Sequence, residues 1–531
     1  MSFNPSDLMA IRSEMVVLVL AMLVLVVELT ITRKAKVLMW LTVGGLLLTV
    51  VLSLLDMISG ASTGAFNGMI ARDGMTAYMK ATLAGIMLLA ALLSKDYFAS
   101  RGAIAGGGVK DGSENAEEEE TGSGTVRMGE FYSLMLLSTF GMMILASATD
   151  LATIFLGIET MSIPLYILAG FRPERARSSE ASLKYFLLGA FSTGFLLFGM
   201  ALLYGVSGGT TNLAMIAHAM RDVGGTMQVY LYAGIGLMLI GLLFKVAAAP
   251  FHFWSPDVYQ GSPTPVTAFM SAGPKAAAII ALIRLCGSTL PLAAEAWTPI
   301  LWVVAALTMI VGNVIALSQK DIKRMLAYSS IAHAGYLIVG VIAAGNGVNE
   351  RAVAAAMFYL TVYYMMNLGA FAIAILVSRA QEKGNYRIDD YKGLANRHPW
   401  LALAMTVFMV SLAGIPPTAG FFGKLYLFSA AVNAGFTGLV VLAVLTSAVS
   451  VFYYLRPVVY MFMKPAEKEV KVAVSPAFGI VLVICVVGIL KVGFLPEIVM
   501  NWAREGAKTM VNPPQVLAVK AVENERLIAE K

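Results

Sequence analysis

The chain has 531 residues, of which 58% are hydrophobic and only 13% charged, with a formal net charge of +6. A water-soluble protein of this length needs far more charged surface and divides into several domains, so a soluble globular enzyme is excluded. The cationic excess fits loop lysines and arginines facing anionic lipid, and no nucleic-acid partner is expected.

Apolar runs of about 18 or more residues, each long enough to cross ~30 Å of hydrocarbon as a helix, recur along the whole sequence. In chain order they predict fourteen spans, near 14–32, 37–55, 76–95, 129–149, 151–171, 183–206, 229–252, 264–286, 296–317, 326–345, 353–378, 400–430, 435–461 and 474–496. The fold class is therefore an all-α polytopic membrane protein. The first run has no small-residue cleavage site after it, so it is expected to be a retained span rather than a signal peptide. The 32 methionines and 49 glycines suit such a bundle, since Met fills irregular gaps and Gly lets helices approach closely.

Loop charge checks the count. Loops after odd-numbered spans carry Arg33, Lys34 and Lys36; Lys95, Arg101, Lys110 and Arg127; Arg172, Arg175 and Arg177; Lys320, Lys323 and Arg324; Arg379, Lys383, Arg387, Lys392 and Arg397; then Lys464, Lys468 and Lys471. Loops after even-numbered spans hold only Arg72, Arg221 and Arg351, and the loop after span 7 has no cation. The positive-inside rule then puts both termini on the outer side of the membrane. Residues 101–127, Gly-rich and acidic, are expected to form a flexible cytoplasmic loop. The segment 209–228 is expected along the outer surface, and 500–531 as an interfacial or solvated helix.

Ionisable residues within spans need a partner or a water-filled cavity, which makes them functional candidates. Glu159 lies in span 5, Lys184 opens span 6, Lys245 is placed deep in span 7, Lys275 in span 8, His333 early in span 10 and Lys424 in span 12. Burial lowers a lysine's proton affinity and a nearby carboxylate restores it, so this set can exchange protons near neutral pH. His333 could relay between Lys275 and Lys424, accepting on one ring nitrogen and releasing from the other. His252 serves either as a relay or only the local structure. Arg284, nine residues beyond Lys275 and so on the opposite helix face, is expected to snorkel to the interface. Glu28 and Lys80 receive no role. Proline places the helix breaks: Pro250 interrupts span 7 after Lys245, and Pro416-Pro417 interrupts span 12 before Lys424.

Broken helices at matching places in two halves point to an inverted repeat. Spans 4–8 and 9–13 each have five helices with the break on the fourth. The expected organisation is 1–100, the first three spans; 101–127, the acidic loop; 128–290 and 291–462, two inverted five-helix repeats; and 463–531, the last span and tail. Cys286 and Cys485 are far apart in apolar runs, so no iron–sulfur ligand set, disulfide framework or metal site is expected.

Five stretches carry a resemblance: IETMSIPLYILAGF with SSEASLKYFLLGAFSTG, FKVAAAPFHFWSPDVYQGSPTPVTAFMS, QKDIKRMLAYSSIAHAGY and GIPPTAGFFGKLYLF. From about Met128 to Pro457 the chain resembles the antiporter-like (Mrp-type) membrane subunits of respiratory complex I, and among them the N-type. The M-type is expected to have glutamate where Lys424 stands, and the L-type a long lateral helix for which no room follows Pro496. The resemblance implies proton translocation driven by quinone reduction elsewhere in a translocase complex of the bacterial inner membrane. It implies that Glu159 pairs with Lys184, that Lys245 and Lys424 serve the two half-channels, and that Lys275 connects them with His333 between. It implies no cofactor in this chain, with NADH, FMN, Fe–S clusters and quinone in partner subunits, and an M-type subunit and small J and K subunits as neighbours in the bilayer. The alternatives are a subunit of a multisubunit sodium–proton antiporter, an N-type subunit of a complex with another electron donor, a non-conducting scaffold, and a solute transporter.

Overall fold

Spans of the expected length form because each apolar run satisfies its own backbone hydrogen bonds as a helix, the only open-ended solution in hydrocarbon. The computed structural model describes residues 5–30, 35–60, 62–105, 127–345, 349–381, 386–466 and 472–511. Thirteen of its helices are long and apolar enough to cross a membrane. They are span 1 (Arg12–Thr30), span 2 (Ala35–Ile58), span 3 (Gly74–Ala105), span 4 (Met128–Ser147), span 5 (Leu151–Ala169), span 6 (Ala176–Val206) and span 7 (Thr226–Val246). Span 8 (Thr264–Arg284), span 9 (Ala294–Ser318), span 10 (Ile322–Gly345), span 11 (Glu350–Arg379), span 13 (Thr437–Met463) and span 14 (Pro476–Phe494) follow. Span 12 is two shorter helices, Pro399–Ala413 and Ala419–Asn433.

Span 8 and all of span 10 beyond its first two turns are buried, whereas spans 1, 2, 13 and 14 bury one side only. The innermost helices therefore carry Lys275 and His333. Contacts between span ends agree with the alternation of fourteen spans. Asp73, after span 2, meets Arg284 at the end of span 8; Asp257, after span 7, meets Arg324 at the start of span 10.

The helices expected to break at Pro250 and at Pro416-Pro417 are both interrupted, whereas spans 5 and 8 run unbroken through Pro164 and Pro274. Span 7 stops at Val246, earlier than the expected 252, because Ala247 turns left-handed (φ 59°) and its amide closes on Phe244 O. That conformation costs an alanine about 1–2 kcal/mol. The chain passes Pro250 irregularly and re-forms a helix at Trp254–Gly261. Lys245 thus lies in the last turn before the break rather than deep in the helix. Span 12 stops the same way, at Gly414 (φ 83°), where glycine bears the left-handed turn without strain.

Shorter elements flank the spans. A small hairpin, Thr63–Ala65 paired with Ile70–Arg72, joins spans 2 and 3. Residues 209–228 contain a short helix, Leu213–Ala219, and a 3-10 turn, Met220–Asp222. After span 14, Pro496–Val511 forms an amphipathic helix with Met500, Ala503, Ala507 and Met510 buried and its charges exposed. Its Gly506 packs closely on Gly74: a Cβ at Gly74 would lie 3.1 Å from Gly506 Cα, and one at Gly506 would lie 3.0 Å from Gly74 O and 2.8 Å from Met357 Cε. Span 3 continues to Ala105; residues 106–126 of the expected acidic loop and 512–531 of the expected tail lie outside the described residues.

Candidate functional site

Lys245 is buried between spans 5 and 7. Its Nζ donates to Ser162 Oγ at 2.8 Å and to Tyr166 OH at 3.2 Å, and lies 5.6 Å from the Tyr166 and Phe244 ring centres. Glu159 is one turn before Ser162 on span 5, half-buried, and accepts from Thr193 Oγ1 at 2.8 Å. Among the described residues neither Glu159 nor Lys245 forms an ion pair within 4 Å. A cleft of about 390 Å³ between spans 5 and 6, lined by Tyr166, Gly170, Ser179, Ser182 and Phe186, reaches the ring of the tyrosine that holds Lys245.

The expected pairing of Glu159 with Lys184 does not occur. Lys184 instead meets Glu180 at 2.6 Å and Asp257 at 2.9 Å, with its side chain 41% exposed. The cause is helix register. Contacts Glu159–Thr193, Tyr166–Ser182 and Ala169–Ser178 fix spans 5 and 6 antiparallel. Lys184 then stands level with the neighbourhood of Tyr166, about seven residues and ~10 Å along the axis from Glu159. Asp257 also accepts from Arg324 at 2.8 Å. Burial alone would raise the Asp257 carboxyl, but the Lys184 and Arg324 hydrogen bonds outweigh it and hold the group below its ordinary value.

Lys275 donates to Ser330 through both the backbone carbonyl, at 2.7 Å, and the hydroxyl. One turn further along span 10, His333 is enclosed by tyrosines. Its Nδ1 meets Tyr359 OH at 2.6 Å, its Nε2 meets Tyr454 OH at 3.0 Å, and Tyr454 continues to Ser329. Tyr336 packs edge-on against His333 at 5.6 Å, and Lys424 lies 5.4 Å over the Tyr336 ring. Asn313 bonds both Tyr336 and Tyr453, tying this tyrosine cluster to span 9.

Lys424 sits on the helix after the span-12 break and reaches back to the helix before it. Nζ donates to Leu412 O (3.0 Å), Ala413 O (2.8 Å) and Ser447 Oγ (2.8 Å). The last carbonyls of a helix have no partner within it, and the negative end of the helix dipole favours a cation there. The break thus creates the binding site for the ammonium. Gly414 is required at close quarters: a Cβ there would lie 2.9 Å from Lys424 Cδ.

The structure brings Lys275, His333 and Lys424 into one polar cluster, with Lys245 apart from it. No direct hydrogen bond among the described residues joins Lys245 to Lys275. His252, in the span-7 break, is buried and stacks on Phe253 at 4.6 Å, and among the described residues it forms no hydrogen bond to Lys245, Lys275, His333 or Lys424. No group of His, Cys, Asp or Glu able to hold a metal ion is found among the described residues.

Several charges have partners that sequence reasoning did not foresee. Arg284 does not snorkel: it is buried, and its guanidinium grips Asp73 (2.9 and 3.3 Å) and Thr76 Oγ1 (2.9 Å). Lys80 forms a buried ion pair with Glu14 at 2.6 Å. Glu28 caps span 4, accepting from the amides of Gly129 (2.9 Å) and Glu130 (3.1 Å). Acidic residues at span ends, read against basic residues in neighbouring spans, are the only sequence signal for these pairs.

The transmembrane family described as NADH:quinone oxidoreductase/Mrp antiporter matches residues 148–450. A protein of Trichlorobacter lovleyi named NADH-quinone oxidoreductase subunit N is 46% identical over 95% of this chain and 98% of its own length. The chain belongs to the subunit N family of NADH-quinone oxidoreductase. A chain of respiratory complex I from Thermus thermophilus with bound aureothin has the same architecture. It is 35% identical with a TM-score of 0.74, covering 93% of this chain and 100% of that one. A chain of the Mrp complex from a Dietzia species shares the fold (TM-score 0.77 over 97% of this chain and 99% of that one) at only 20% identity. Lys245, Lys275, His333 and Lys424 all lie inside residues 148–450, the region that the NADH:quinone oxidoreductase/Mrp antiporter family matches.

Proposed function

We propose that this chain translocates protons as the N subunit of a bacterial NADH:quinone oxidoreductase, along Lys245, Lys275, His333 and Lys424, with Glu159 and Lys184 as flanking charges. One observation carries the reading. Among the described residues, Lys245, Lys275 and Lys424 are held by hydroxyls and backbone carbonyls with no carboxylate within 4 Å, whereas the buried cations Arg284 and Lys80 each have a carboxylate against them; the remaining buried lysine, Lys323, sits in the first turn of span 10 on loop carbonyls. A permanent counter-charge fixes a cation's state. Neutral partners leave a buried ammonium able to give up its proton, because desolvation disfavours the charged form. A scaffold that used buried charge to pair helices would pair these lysines too.

In this reading, protons reach Lys245 from the cytoplasmic side past Tyr166. Lys275 passes them across the centre, His333 takes them on one nitrogen and releases them from the other, and Lys424 delivers them. The step from Lys245 to Lys275 requires water, the natural carrier where hydroxyls and a broken backbone line a gap. Movement of the Glu159 charge relative to Lys245 changes the lysine's proton affinity, which makes transfer responsive to the rest of the complex. Spans 4–8 and 9–13 act as two inverted half-channel units, with spans 1–3 and span 14 outside them. The termini face the periplasm across the inner membrane, and an M-type subunit and the J and K subunits lie alongside. NADH, FMN, Fe–S clusters and quinone belong to partner subunits.

Lys245→Ala in the intact complex tests the proposal. Proton pumping should be lost while the complex still assembles; pumping at the wild-type ratio to NADH oxidation sinks it. A sodium-dependent pH gradient in vesicles without quinone reductase would move the assignment to the sodium–proton antiporters.

A further inference from the structure

The eight-residue helix Trp254–Gly261, which follows the span-7 break, is held from three sides. Its first residue donates from Trp254 Nε1 to Phe244 O at 3.1 Å, beside Lys245. In its middle, Asp257 commits both carboxylate oxygens, Oδ2 to Lys184 of span 6 at 2.9 Å and Oδ1 to Arg324 of span 10 at 2.8 Å. Towards its end, Gln260 Oε1 accepts from Arg324 at 2.9 Å, and Lys323 donates to the carbonyls of Gln260 and Ser262.

The helices that supply this grip also carry the proton path. Span 6 bears Lys184 and, nine residues on, Thr193, which bonds Glu159. Span 10 bears Arg324 and, six and nine residues on, Ser330 and His333. Span 6 packs chiefly on spans 5 and 7, and span 10 on spans 8, 9, 11 and 12; the Trp254–Gly261 helix packs on both spans 6 and 10. One carboxylate therefore ties the helix that holds Glu159 to the helix that holds His333, through a segment hinged at the left-handed Ala247.

We propose that Asp257 is a positioning residue of the proton path. Its carboxylate, shared between Lys184 and Arg324, sets the placement of the post-break helix and so governs passage of protons from Lys245 to Lys275. An isolated exposed ion pair contributes little. A carboxylate shared by two cations from different helices is a joint, and removing its charge leaves Lys184 with Glu180 and Arg324 with Gln260. The helix then loses its fixed position relative to spans 6 and 10.

The inference rests on the proton-translocation reading, so the experiment includes a control for that reading. Intact complexes carrying Asp257→Asn, Asp257→Glu, Lys184→Ala, Arg324→Ala and, separately, Lys245→Ala are assayed in membrane vesicles for protons moved per NADH oxidised. Asp257→Asn should lower this ratio at least about five-fold, the lower bound of a typical coupling between sites. Asp257→Glu should recover most of it, and Lys184→Ala combined with Asp257→Asn should be no worse than Asp257→Asn alone. A wild-type ratio in Asp257→Asn, or equal loss in Asp257→Glu, overturns the proposal. Should Asp257→Asn fail to assemble, Lys184→Ala and Arg324→Ala decide, since those side chains are 41% and 28% exposed and tolerate truncation. A lowered ratio in both supports the joint, and a normal ratio in either overturns it. A normal ratio in Lys245→Ala means that the translocation reading itself has failed; loss in Lys245→Ala with a normal Asp257→Asn removes only this inference.

Discussion

Replacing Arg284 with alanine is expected to destabilise the chain by about 3–5 kcal/mol, the cost of stranding one member of a buried ion pair. Arg284 and Asp73 side chains are only 6% and 8% exposed, and the guanidinium makes two bonds to Asp73 and one to Thr76. Without it the Asp73 carboxylate keeps only Thr76 as a partner, and solvent cannot replace the lost charge. Had Arg284 been snorkelling at the interface, the same change would cost roughly 0–1 kcal/mol, as for exposed pairs. The double variant Arg284→Met/Asp73→Leu removes both charges together and should cost much less than either single change, because apolar side chains of similar size suit this buried position. The assay is the thermal midpoint for dissociation of the purified complex, with the amount of assembled subunit as a second readout. Singles that match wild type, or a double variant equal to the sum of the singles, would show that Arg284 and Asp73 are not a buried, interdependent pair.

Other substitutions follow from the same contacts. Lys80→Ala should reduce assembled subunit sharply, since it leaves Glu14 buried without its cation; Lys80→Ala/Glu14→Leu should restore assembly, and failure of that rescue counts against a paired role. Glu28→Ala removes the cap from span 4 and should weaken its first turn by about 1 kcal/mol, seen as faster hydrogen exchange at the Gly129 and Glu130 amides with other spans unchanged. Gly414→Ala should displace Lys424 from the Leu412 and Ala413 carbonyls, lowering protons moved per NADH in complexes that still assemble. A normal ratio in that variant would show that the close approach is dispensable.

The architecture was legible because hydrocarbon imposes a demand that a single sequence must meet locally: about twenty apolar residues per crossing, with few charges. The breaks at Pro250 and Pro416-Pro417 were legible because proline removes a donor, although Pro164 and Pro274 stand inside unbroken spans 5 and 8 and Ala247 ends span 7 before Pro250 is reached. Side-chain partners were another matter, since they depend on register between helices. Glu159 and Lys184 lie on adjacent spans, yet contacts along those spans slide them about two turns apart. Arg284 finds Asp73, which is 211 residues earlier in the chain. Glu28 reaches the start of span 4, 101 residues ahead. Lys424 was expected to follow a break, but that the break's own carbonyls would hold its ammonium could not be read from residue types.

In the proposed mechanism Lys245, Lys275 and Lys424 act in series, with Lys275 joining the two parts of the path. Protons moved per NADH oxidised by intact complex carrying Lys275→Ala, in vesicles matched for NADH oxidation, tests this most directly. A path in series predicts that the ratio falls as far as it does when Lys245 or Lys424 is replaced, and that combining any two replacements lowers it no further. A wild-type ratio in Lys275→Ala, or losses that multiply when replacements are combined, would contradict it.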